Sequence, residues 1–97
     1  MVIGCMRITL SLAENRSLKG KRSVVRRVTE RVRHRFAVAV AEVDTLDDWN
    51  VATLGIVCVS HDTRQSHAIL MKVRDFVENL HIDSDVADIE TEIVHAL

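Results

Sequence analysis

A chain of 97 residues, 47% apolar and 28% charged, has the make-up of one ordinary globular domain, with about 60–65% of its extended surface hidden on folding. No apolar run reaches the length of a membrane-spanning helix, no basic-then-apolar leader opens the chain, and proline is absent, so membrane protein, secreted precursor and linker-joined domains are all excluded as expectations. The net charge of -1 conceals a strong polarity: Arg16 to Arg35 holds nine of the thirteen Lys and Arg residues against one acid, Glu30.

Taken in chain order, Val2 to Leu12 reads as a strand, because Met6, Ile8, Leu10 and Leu12 alternate with Arg7, Thr9 and Ser11. Its first half is apolar on both faces, as in a central strand. After a loop at Ala13–Arg16, Ser17 is the expected N-cap of a helix running to about Arg35. Val24, Val25, Val28, Val32 and Phe36 form the apolar stripe of that helix. Lys19, Arg22, Arg26 and Arg33 cluster nearly opposite, with Arg27 and Arg31 on a second flank. Gly20 in the first turn costs about 1 kcal/mol against alanine, so fraying is expected there.

Ala37 to Val43 is a second strand, Asp44 to Asp48 an acidic turn followed by Trp49, and Val51 to Ser60 an almost wholly apolar third strand. Asp62 or Thr63 caps a second helix to about Leu80, with Ile69, Val73, Phe76, Val77 and Leu80 in helical period. Val86 to Val94 is a fourth strand, with Ile89, Thr91 and Ile93 on one face and Asp88, Glu90 and Glu92 on the other. The order βαββαβ with right-handed crossovers predicts a ferredoxin-like α+β sandwich, a four-stranded antiparallel sheet with two helices on one face. The first and third strands would be central.

Several stretches resemble the YlxP-like family of small bacterial proteins (domain of unknown function 503). They are Ser17-Leu18-Lys19-Gly20-Lys21-Arg22-Ser23-Val24, Val40-Ala41-Glu42-Val43-Asp44, Trp49 with Ala52-Thr53-Leu54-Gly55, and Val59-Ser60-His61-Asp62. The resemblance runs from Met1 to about Ile93. It implies a ferredoxin-like fold and a bacterial cytoplasmic protein, and it names no activity. Family members tend to be encoded near translation and ribosome-maturation factors, which implies an RNA-linked setting by association. Gly20 stands here where the family usually carries a charged helix former.

The candidate contact surface for RNA or a ribosome is the basic helix, through Lys19, Lys21, Arg22, Arg26 and Arg33, because phosphate contacts need cations rather than a motif. The competing reading is a solvated helix face, or one that meets a protein or the acidic strand of a second copy. Base stacking on the sheet, as in RRM domains, is not expected, since the two central strands contain no Phe, Tyr or Trp. Ile3, Cys5, Val57 and Val59 leave an apolar sheet face away from the helices, for which homodimerisation or a higher homo-oligomer is expected. Trp49 is either a lid over the sheet end or a contact residue that anchors a partner or stacks on a base.

Chemistry-bearing patterns are weaker. Glu42, Asp44, Asp47 and Asp48 lack the spacing of a calcium loop, and the five histidines form no i, i+4 pair, so neither metal nor cofactor is expected. Ser17, Ser23 and Ser60 lie in no nucleophile elbow, and no glycine-rich loop cradles phosphate. Cys5 and Cys58 read as free thiols in core strands of a cytoplasmic protein. The expectation is a binding protein without a catalytic site.

Overall fold

The computed structural model describes Met1–Leu97, in the order β1 (Val2–Ser11), α1 (Leu18–Arg35), β2 (Ala39–Val43), β3 (Val51–Ser60), α2 (Thr63–Glu78) and β4 (Asp85–His95). The sheet order is β2-β3-β1-β4 and every pairing is antiparallel. The two apolar strands are therefore the central ones, and the fold is a ferredoxin-like α+β sandwich.

Alternation decides which way each strand faces. Val2, Met6, Ile8 and Leu10 of β1, with Ala52, Leu54, Ile56 and Cys58 of β3, are all buried. Apart from the terminal Val2, they share one core with Val24, Val28 and Val32 of α1 and Leu70, Val73 and Val77 of α2. A β-carbon at Gly4 would lie 2.9 Å from Cys58 Sγ and 3.1 Å from Leu70 Cδ1, so this glycine is what lets α2 press onto β1. Cys58 is a core residue as expected, whereas Cys5 sits one residue out of phase, half-buried on the open side of the sheet, and both thiols are free.

The edge strand β4 needs one correction in register to keep its apolar residues inward. Pairing runs evenly to Thr9↔Asp88 and then jumps to Leu10↔Val86, leaving Ala87 as the extra residue of a bulge. Without that bulge Val86 would turn to the open face; with it, Val86 joins Ile89 and Ile93 against the core.

Both helices start on the residues that the capping pattern indicates. Ser17, extended at φ -153°, accepts the Gly20 N–H at 3.0 Å, and Asp62 accepts the Gln65 N–H at 2.7 Å. Two boundaries differ from the sequence reading by two residues, and the end of β1 and both ends of β4 differ by one. The second helix stops at Glu78 rather than Leu80, because the side-chain amide of Asn79 turns back to the Asp75 carbonyl at 2.7 Å and the Leu80 N–H tightens onto Val77 at 3.2 Å. The second strand starts at Ala39 rather than Ala37, since Phe36 stays in the helix layer, edge-on to Phe76 at 5.4 Å. No helix is long and apolar enough to cross a membrane.

Candidate nucleic-acid interface

The helix α1 buries its valines and leaves a row of cations outside. At about 100° per residue, Lys19, Arg22, Arg26 and Arg33 fall within an arc of about 60°, and they extend along about 21 Å of helix axis. All four are exposed. Lys19, Arg22 and Arg26 form no ion pair within the chain. Arg33 spends one of its donors on the Val40 carbonyl, 2.7 Å away, which steadies it at the β2 end of the row.

Lys21 is a correction to the expected contact set. It is 1% exposed and points into the protein, where its ammonium group meets Glu42 at 2.8 Å, the Thr45 carbonyl at 2.5 Å and the Val51 carbonyl at 3.2 Å. Three donors find three acceptors, which is the condition for burying an ammonium group without stranding a proton. Thr45 completes the cluster: its hydroxyl donates to Glu42 at 2.9 Å and accepts the Thr53 N–H at 2.7 Å. Lys21 therefore fastens α1 to the β2–β3 hairpin and is unavailable to a phosphate. The helical wheel already held the signal, since Lys21 lies about 20° from Val28 on the buried arc. A lysine in a valine stripe implies a buried acid, and the sequence did not say which.

The same hairpin carries Trp49 to the start of α1. The Asn15 side-chain amide donates to the Ser17 carbonyl at 2.7 Å and also to the Trp49 carbonyl, so one nitrogen joins the N-cap to the hairpin loop. Leu12 N–H adds a bond to Asn50 at 2.8 Å. A β-carbon at residue 20 would run into the Asn15 amide, so Gly20 makes room for this tie. The first turn is capped and packed rather than loose. Trp49 itself is 43% exposed, partly covered and partly open to solvent, and neighbouring Leu46 is 64% exposed.

Elsewhere some cations are engaged, while Arg16, Arg31, Arg64 and Lys72 also lack an ion pair but do not extend the row. Arg27 pairs with Asp83 at 3.2 Å, Arg74 with Asp75 at 3.0 Å, and Arg35 lies over the Phe76 ring at 5.6 Å. On the open sheet face Arg7 donates to both oxygens of Glu90 at 3.0 Å and reaches Asp44 at 3.2 Å, passing Gly55, its side-chain-free partner on β3. Glu90 first, then Asp44, hold its guanidinium above the usual arginine range. Glu42 and Asp44, two of the carboxylates weighed as cation ligands, are thus occupied by Lys21 and Arg7. No three His, Cys, Asp or Glu side chains converge anywhere.

Next to Arg7 the open face is apolar. Ile3 pairs with Val59 on one side and Val94 on the other, and Cys5 lies beside Val57. Val59 is 63% exposed, with Val57 and Val94 also exposed.

The fold and this division of charge describe a small α+β domain with a capped basic helix as its most distinctive surface. A family model described as protein of unknown function (DUF503) matches residues 3–91, and the chain belongs to that family. It is 35% identical over 63 residues to the uncharacterized protein YlxP of Bacillus subtilis (strain 168), an alignment that covers 65% of this chain and 68% of that protein. Among solved structures it is similar to the de novo designed protein Foldit4, with a TM-score of 0.52 and 15% identity over 99% of this chain and 98% of the other. That likeness bears on the fold alone.

Proposed function

We propose that the protein is a non-enzymatic accessory binding protein of the bacterial cytoplasm, which contacts RNA, in the ribosome or during its maturation, through the outer face of α1. One observation carries this reading: Lys19, Arg22 and Arg26 stand in a row without ion partners, whereas Arg7, Lys21, Arg27 and Arg74 are each paired with an acid. Cations that folding does not use, set at helical spacing on one face, suit a phosphate backbone. The absence of aromatic residues from β1 and β3 argues that contact is made by helix and loop rather than by the sheet. Co-sedimentation with RNA and ribosomes at low salt tests it. Wild type should be retained, and Arg22→Glu/Arg26→Glu, folded by circular dichroism, should be lost. Equal retention of both would overturn the proposal.

The exposed Val57, Val59 and Val94 favour a second reading, a structural or regulatory homo-oligomer that joins through the open sheet face and uses its basic helix on protein. Light scattering separates the two sheet-face outcomes. A dimer mass that falls to the monomer in Val59→Asp supports the oligomer, and a monomer mass at high wild-type concentration contradicts it.

A further inference from the structure

We infer that Trp49 is a stacking platform for an unpaired base, so that the α1 surface takes single-stranded RNA in preference to duplex; this rests on the proposal that α1 binds RNA. The indole stays 43% exposed, whereas the only other aromatic residues of the domain, Phe36 and Phe76, pack against each other. Its loop is not free to wander. The Asn15 amide ties the Trp49 backbone to the N-cap of α1, and Lys21 ties the Thr45 and Val51 carbonyls that bracket it. The indole is therefore carried on a loop pinned to the helix end from which Lys19 and Arg22 begin the cationic row. Beside it, Asp47 and Asp48 are exposed and make no ion pair, so the loop repels phosphate and favours the neutral face of a base. A strand whose backbone follows the row has a base to turn onto the indole. A duplex, with its bases stacked inside, has none.

Trp49 is the sole tryptophan and the chain has no tyrosine, so its emission reports on this site alone. Binding of a ten-nucleotide oligo(rA) and of a blunt-ended ten-base-pair RNA duplex would be followed by anisotropy of labelled RNA, and Trp49 emission by titrating the same RNAs unlabelled. Oligo(rA) should bind with quenching and the duplex without it. Trp49→Ala should weaken oligo(rA) about five- to a hundredfold and leave the duplex unchanged, with Trp49→Phe retaining most of the preference. Binding of oligo(rA) with unchanged Trp49 emission, or equal losses for both RNAs in Trp49→Ala, would overturn the stacking site while leaving the α1 proposal standing. Absence of any anisotropy change at low salt would remove both.

Discussion

The open sheet face and the outer face of α1 treat their cations in opposite ways. On the sheet, Arg7 is held by Glu90 and Asp44, which link β1 to β4 and to the end of β2. On α1, Lys19, Arg22 and Arg26 meet no acid, although the chain has fourteen Asp and Glu residues. Glu30 is exposed on α1 and pairs with none of them, and most other acids stand elsewhere: Asp88, Glu90 and Glu92 lie on the edge strand at the far side of the sheet from β2, the strand that α1 mainly contacts. Arg7 on the sheet is paired within the chain, and the outer row of α1 has no acid partner there. Lys21 and Arg22 show the same contrast within two consecutive residues.

The sharpest way to break that contrast is to compare those two side chains. Lys21→Ala leaves Glu42, a carboxylate 9% exposed, without its partner, and should lose about 3–5 kcal/mol in urea denaturation. Arg22→Ala should stay within about 0.5 kcal/mol of wild type. If the two variants lose similar stability, the inner and outer cations do not differ in the way described. Replacing both partners, Lys21→Met/Glu42→Leu, should cost less than Lys21→Ala alone, because no buried charge is stranded.

A smaller effect concerns the start of α1. Glycine to alanine inside a helix ordinarily gains about 0.5–1 kcal/mol. Here Gly20→Ala should lose stability, since the new methyl displaces the Asn15 amide from Trp49 and Ser17. In an Asn15→Ala background the same substitution should recover the ordinary gain. A gain in both backgrounds would mean that Gly20 does not make room for the tie. The smallest effect belongs to Arg7→Met on the solvent-exposed sheet face, whose denaturation midpoint should barely differ from wild type, as is usual for exposed ion pairs.

Sequence pattern carried the architecture because each element announced itself locally. The near-continuous apolar runs of β1 and β3 put them at the centre, the alternation of β4 put its acids outward, and Ser17 and Asp62 marked both helix starts. What escaped were the long-range pairings. The partner of Lys21 is Glu42, twenty-one positions away on β2, and the partners of Arg7 are Asp44 and Glu90, which become neighbours only through the sheet order. The bulge at Ala87 is likewise a tertiary adjustment, made so that Val86 faces inward. Of the candidate surface, Lys19, Arg22, Arg26 and Arg33 were legible from helical spacing, while the exposure of Trp49 and its tie to α1 depend on Asn15 and Gly20 meeting across a loop.

The most direct test of the α1 surface is the salt dependence of RNA binding, measured with one cation removed at a time. Four phosphate contacts on single-stranded RNA give a slope of log affinity against log salt of roughly -3, and each lost contact reduces it by about 0.7. Arg26→Gln should show that reduction, and Arg64→Gln, an exposed cation on α2, should keep the full wild-type slope. A shallow wild-type slope, or the same change for both variants, would contradict the assignment of α1 as the phosphate-binding face.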